Sequence, residues 1–201
     1  MEAQKYNTEA QRIFARIGDY RGLSWVFFTE ADVAFVNNNA DLAVTTIREP
    51  IARAASSGGF QHEMSAGMGA LAFYLAEQGK FKEALQQGRE ALDKMEELDN
   101  GLQACETHAV MATILVDLGP QHLQEAQAHA EASQNIALRV GAKRVVGCGL
   151  LAEARIALAR GDKLLAKTRA EEAEQIFEAC RANWYLHKAQ NCLDEVRAED
   201  G

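Results

Sequence analysis

Proline, paired cysteines, clustered basic residues and long apolar runs are all scarce in this chain, and each scarcity removes a class of protein. Only two prolines, Pro50 and Pro120, interrupt the 201 residues, so little in the backbone opposes continuous helix. Cys105, Cys148, Cys180 and Cys192 show no CxxC spacing, which speaks against a zinc site or a dithiol redox motif and leaves buried free thiols as the plain reading. Apolar runs such as Val26 to Phe28 fall far short of the roughly 20 residues a membrane span needs, and the N-terminus has no apolar signal core. Lys and Arg number 21 against 29 Asp and Glu, for a formal net charge of −8. No basic cluster offers to neutralise a run of phosphates, so direct nucleic-acid binding is not expected. A cytoplasmic protein that engages neither membrane nor nucleic acid is expected.

What is abundant is helix former: Ala, Leu, Glu, Gln, Lys and Arg dominate, the residues that lose least on entering a helix. Hydrophobic residues make up 48% of the chain, ample for a buried core. A repeat organises them. Ala166, Ala170, Ala173, Phe177 and Cys180 advance by four, three, four and three, which keeps small or apolar groups on one helical stripe. The same stripe recurs as Ala126 to Val140, as Ala84 to Leu98, as Ala43 to Ser57 through Pro50, and as Ala3 to Ile17. Its first members, Ala3, Ala43, Ala84, Ala126 and Ala166, are 40, 41, 42 and 40 residues apart. Such regularity indicates a helical solenoid of about 41 residues per unit.

Each unit also holds a second helix, marked off by turn residues. Gly18, Gly58 with Gly59, Gly101, Gly141, and Ala182 with Asn183 are expected to close the striped helices; Asn37 to Asn39, Gly79, Gly119 with Pro120, and Gly161 with Asp162 separate the two helices of a unit. The resulting all-α reading has about ten helices in a single domain, residues 1–201. A lone helix spans 2–17, helix pairs fill units 21–57, 61–99, 102–140 and 143–181, and a closing helix spans 184–198. The first helix carries the stripe with no partner before it, so the chain is expected to begin in the middle of a unit, as a piece of a longer regulator would. Pro50 falls inside a predicted helix, where it removes a backbone hydrogen bond at a cost of roughly 3 kcal/mol; that helix is expected to kink or break into two near Glu49.

The segment from Met68 to Leu92, with Leu71, Ala72, Leu75, Gly79, Phe81, Ala84 and Ala91 in order, resembles a tetratricopeptide repeat over its whole helix-turn-helix. Ala154, Gly161, Ala166, Ala170 and Ala173 resemble a second copy, and Ala112, Gly119 and Ala126 a third with a longer turn. The first unit departs most, with Asn38 in the place of the family's glycine and Pro50 in that of an alanine. The family period is about 34 residues, so these units are similar to its long-repeat type, found in sensor regions of bacterial regulators like the maltose-operon activator, in kinesin light chains and in spindle-orientation adaptors. The resemblance implies a right-handed superhelix of antiparallel helix pairs whose first helices line a concave groove.

Carried onto this sequence, that implies groove positions Trp25, Phe28, Asp32, Phe35 and Val36 in the first unit and Ala66, Gly69, Phe73, Ala76 and Glu77 in the second. Glu106, Ala109, Thr113, Val116 and Asp117 follow in the third, and Cys148, Leu151, Arg155, Leu158 and Ala159 in the fourth. Trp25, Phe28, Phe35 and Phe73 are apolar anchors in this reading, or else fill the core between helices. Glu77, Glu106 and Asp117 would make the groove acidic, with Arg155 its single cation and Thr113 a polar contact, so a protein or peptide with Lys or Arg beside apolar side chains would complement it. The family's carboxylate clamp of Lys, Asn and Arg is lacking.

Catalytic signatures are missing as well. His122 and His129, seven residues apart on one helix, lie too far apart to share a metal and read as surface histidines. Gly67 and Gly69 follow no strand, so they cradle no phosphate and instead permit close helix packing or leave room in the groove. Neither cofactor nor metal is expected. A reactive Cys148 near Arg155 is the one thread toward an enzyme. The function expected is non-catalytic binding by an adaptor, scaffold or sensor; the alternatives are a self-associating structural module and the effector-sensing region of a transcription regulator or signalling protein.

Overall fold

A computed structural model describes residues 2–57 and 59–198. The described residues are helical throughout and contain no strand. Ten α-helices follow in order: α1 (Glu2–Ile17), α2 (Tyr20–Val36), α3 (Ala40–Ser57), α4 (Gln61–Glu77), α5 (Phe81–Glu97), α6 (Gly101–Asp117), α7 (Leu123–Val140), α8 (Lys143–Ala159), α9 (Lys163–Ala179) and α10 (Asn183–Ala198). A 3-10 turn, Pro120–His122, leads into α7. The chain divides into two compact units, Met1–Asn100 and Gly101–Gly201. In each, every helix packs on its predecessor, and the first helices of neighbouring pairs also touch, α2 on α4 and α6 on α8.

The stripes are what the helices bury. Ala84, Gly88, Ala91 and Met95 of α5, Ala126, Ala130, Ser133 and Ala137 of α7, and Ala166, Ala170, Ala173 and Phe177 of α9 are all buried. Small side chains let neighbouring helices approach closely, and the seam is fixed where polar groups meet within it. The Ser133 hydroxyl, fully buried, donates to the Cys105 carbonyl at 2.8 Å and ties α7 to α6. The stripes end at the surface, since Ile17, Val140 and Cys180 are exposed. Cys180 therefore departs from the expectation of buried thiols.

One turn recurs. A residue with positive φ ends the helix, and the next N–H bonds the carbonyl five residues back, as in Asp19 to Phe14, Lys80 to Leu75, Ala142 to Ala137 and Asp162 to Ala157. Gly18, Gly79, Gly141 and Gly161 hold the left-handed position there, but Asn38, Asp99 and Arg181 hold it elsewhere. This corrects two expected turn residues. Gly101 is the first residue of α6, the left-handed place before it belonging to Asp99, and Arg181 rather than Ala182 or Asn183 turns the chain after α9. Gly58 lies outside the described residues.

α3 also corrects an expectation. It runs unbroken from Ala40 to Ser57 with Pro50 inside, not as two short helices. Pro50 is a member of the buried stripe with Ala43, Ile47 and Ala54, and α2 and α4 both pack on this helix. Tertiary packing of that face offsets the lost backbone bond.

Candidate partner-binding surface

In the first unit the expected site residues divide into two groups. Trp25 stands half exposed, at 50%, with its ring edge-on to Phe28 at 5.2 Å. Phe28 reaches inward: a Cβ added at Gly67 would lie 3.4 Å from its ring and 2.8 Å from Ile51. Gly67 thus permits the close approach expected of it, and Phe28 is as much core as surface. Farther along α2, Asp32, Phe35 and Phe73 come together around Tyr74. Phe35 lies edge-on to Phe73 at 5.0 Å and 5.5 Å from Tyr74. Tyr74, buried, donates its hydroxyl proton to Asp32 at 2.6 Å. Phe35 and Phe73 remain partly open to solvent, and Val36 and Glu77 are exposed. At the other end of the same seam, exposed Arg21 reaches buried Glu63 at 2.6 Å. Tyr74, Arg21 and Glu63 were not singled out from sequence; the 42-residue spacing of both contacts, one repeat apart, is the signal that points to them.

In the second unit the carboxylates have arginine partners within the protein. Arg144 of α8 bonds Glu106 of α6, and Arg155 of α8 bonds Asp117 of α6. The expectation of free negative charge with Arg155 as the single cation is corrected there: both acids are engaged, and Arg144 is a second cation, stacked over Tyr185 at 5.2 Å. The Thr113 hydroxyl donates to the Ala109 carbonyl of its own helix at 3.1 Å, so its polar group faces the backbone first.

The histidines differ from expectation too. His129 meets His108 of α6, Nδ1 to Nδ1, at 2.8 Å, and both are partly buried. Neighbouring elements bring them together, which a search along one helix misses. Burial, then the charge of His129, lowers His108 to about 4. Among the described residues no three His, Cys, Asp or Glu side chains are grouped to hold a metal ion. Burial pushes the Cys148 thiol up to about 12, and the cation acting on it is Arg144 rather than Arg155. A thiol held protonated at neutral pH is a poor nucleophile. No helix among the described residues is long and apolar enough to cross a membrane.

No protein-family model matches the sequence, and no curated protein does. Solved structures do match. BtubC (BKLC) from P. vanneervenii shares the fold with a TM-score of 0.68 at 16% identity, over 98% of this chain and 87% of that one. A Rap protein in complex with Competence and Sporulation Factor gives a TM-score of 0.68 at 14% identity, over 88% of this chain and 54% of that one; this chain spans about half its length. Both are helical-repeat proteins of tetratricopeptide-like fold, and at these identities the likeness establishes the fold.

Proposed function

We propose that the chain is a non-catalytic protein- or peptide-binding module of the tetratricopeptide-repeat family. The unbroken 40- to 42-residue register supports reading residues 1–201 as a single repeat domain. The observation that carries the functional reading is the partly open aromatic surface of α2 and α4, where Trp25, Phe35 and Phe73 keep ring surface in water next to Asp32 and Glu77. Half-exposed aromatic rings held rigidly by edge-to-face neighbours are the usual anchors of an interface. Phe28 sets the pose of Trp25 from behind. In the second unit Glu106, Asp117, Thr113 and Arg155 form a polar surface on which a ligand's Lys or Arg would exchange with the protein's own arginines. The partner class favoured is thus, on the first unit, a segment with apolar side chains for the rings and basic ones for Asp32 and Glu77, and, on the second taken by itself, one with basic side chains for Glu106 and Asp117; no cofactor enters. The Rap protein complexed with Competence and Sporulation Factor supports the reading by analogy of fold.

The test is selection of binders from a displayed random-peptide library, followed by titration against the wild-type chain and a Trp25→Ala, Phe73→Ala double variant. Enrichment of aliphatic or aromatic residues flanked by Lys or Arg, with affinity falling at least about 30-fold in the variant, is expected for two anchors at 1 kcal/mol or more each. Selected peptides that bind both proteins equally overturn the assignment. Circular dichroism of the variant separates lost contact from lost fold.

A further inference from the structure

Two exposed charges on α2 are each held by a buried side chain of α4. Arg21, whose side chain is 65% exposed, donates from Nε to the carboxylate of Glu63, only 4% exposed, at 2.6 Å. Three turns farther along α2, exposed Asp32 accepts the hydroxyl proton of buried Tyr74 at 2.6 Å. Both contacts span 42 residues, so α2 and α4 run parallel. The two charges therefore stand toward opposite ends of one seam, about 16 Å apart along the helix axis. Between them lie the rings of Trp25 and Phe28, edge-on at 5.2 Å. A buried carboxylate and a buried phenol hydroxyl are costly unless bonded, and here each bond fixes a surface charge in place. A charge already fixed loses less side-chain freedom when a ligand meets it. The Glu63 contact is made at Nε and the Tyr74 contact at Oδ1, so the terminal N–H groups of Arg21 and the second oxygen of Asp32 remain available to a ligand. The helix ends act in the same sense. The N-termini of α2 and α4 lie at the Arg21 end, with no side-chain cap on α4, and their C-termini lie toward Asp32.

We propose that the first unit binds a peptide segment carrying one carboxylate and one cation on either side of apolar side chains. The carboxylate pairs with Arg21, the cation with Asp32, and the apolar side chains cover Trp25 and Phe28 between them. This inference rests on the aromatic binding surface argued above and deepens it, since that reading asks the segment only for apolar and basic groups. Charge complementarity sets the occupant: a segment with two cations puts one of them against Arg21, and a segment with two carboxylates puts one against Asp32. Length follows from the same geometry. An extended segment laid along the seam covers about 16 Å in about five residues, so its two charges stand about five positions apart.

Fluorescence anisotropy with three pools of terminally blocked peptides tests it. Each pool has four randomised apolar positions between two end residues: Lys and Glu in both orders, two Lys, or two Glu. The mixed pool is expected to bind the full wild-type chain about tenfold tighter than either like-charged pool. The Arg21→Gln, Glu63→Gln double variant leaves no buried charge unpaired, and in it the mixed pool loses its lead over the two-Lys pool. Asp32→Asn still accepts from Tyr74, and it narrows the lead over the two-Glu pool; this single variant carries the test should the double variant lose its circular dichroism. Equal binding of all three pools by the wild type, or a lead that neither variant alters, overturns the inference. If that binding is still lost in the Trp25→Ala, Phe73→Ala variant, the aromatic reading stands without it. No binding of any pool by the wild type, or binding that the Trp25→Ala, Phe73→Ala variant keeps in full, overturns both.

Discussion

The two units join the first helices of their neighbouring pairs by different chemistry at equivalent places. In the first unit the seam of α2 and α4 holds a ring cluster, Phe35, Phe73 and Tyr74, with one hydroxyl bond to Asp32 and one ion pair, Arg21 to Glu63. In the second unit the seam of α6 and α8 is spanned by two arginine–carboxylate pairs, Glu106 with Arg144 and Asp117 with Arg155. Rings join helices through area removed from water, a contribution that salt leaves intact. Exposed ion pairs join them through charges that water and salt already screen. The first seam therefore leaves apolar surface for a partner; the second, where Cys105 and Ala109 cluster with Val145, adds exchangeable charge at its rim. One backbone repeat thus carries two surfaces of different use.

The largest effect that breaks this contrast is Tyr74→Ala, which empties a fully enclosed site between α2 and α4. A loss of about 3–5 kcal/mol is expected, as for other buried aromatic truncations. Tyr74→Phe keeps the ring and loses the bond to Asp32, for about 1 kcal/mol. Urea unfolding with amide exchange followed unit by unit measures both, and the loss belongs in α2 to α4. If Tyr74→Ala costs no more than Tyr74→Phe, the ring cluster is not what holds that seam.

Next in size is a pH dependence confined to the second unit. His108 is neutral in the fold down to about pH 4, whereas an unfolded chain takes up its proton near 6.5. The folded pKa is the lower of the two, so the unfolded state binds more protons between them. Stability is complete above about 6.5 and declines as pH falls toward 4. For a partly buried pair the loss is on the order of 1–2 kcal/mol once solvent screening is allowed for. His108→Gln flattens this part of the profile while carboxylate titration remains. An unchanged profile in that variant would assign the acid sensitivity elsewhere.

Much of the fold was legible because its signal is local. A stripe repeating at 40 to 42 residues places ten helices within a residue or two of their observed bounds, since burial of small residues at three- and four-residue steps is a property of one helix at a time. Turns were less legible: Asp99, a type that tolerates left-handed backbone, was passed over for the glycine two residues on, and Arg181 adopts that backbone although nothing in its chemistry advertises it. Pro50 misled because the local cost of a proline is readable, while the packing on both sides that offsets it is not. The candidate surface suffered the same way. Trp25, Phe35 and Phe73 follow from helical spacing, but the partners that satisfy Glu106, Asp117 and Asp32 come from the next repeat, 38 or 42 residues away. His108 and His129 meet across two helices for the same reason.

The smallest effect is the sharpest probe of the contrast, because it concerns salt and not size. Arg155→Met keeps most of the aliphatic stem and removes the charge that faces Asp117; Arg144→Met does the same at Glu106. Each pair is about a third exposed, so each substitution is expected to cost no more than about 1 kcal/mol at low ionic strength. At 1 M salt, where the screening length is about 3 Å, that difference should vanish. The cost of Tyr74→Ala should hold in the same buffer or grow, since a high concentration of an excluded salt strengthens apolar burial. The ligand side gives the same discrimination: freeing Asp117 and Glu106 from their arginines should raise affinity for a lysine-bearing peptide while leaving binding of a purely apolar one unchanged. If both peptides respond alike, the two units do not divide the labour, and the carboxylates serve the seam alone.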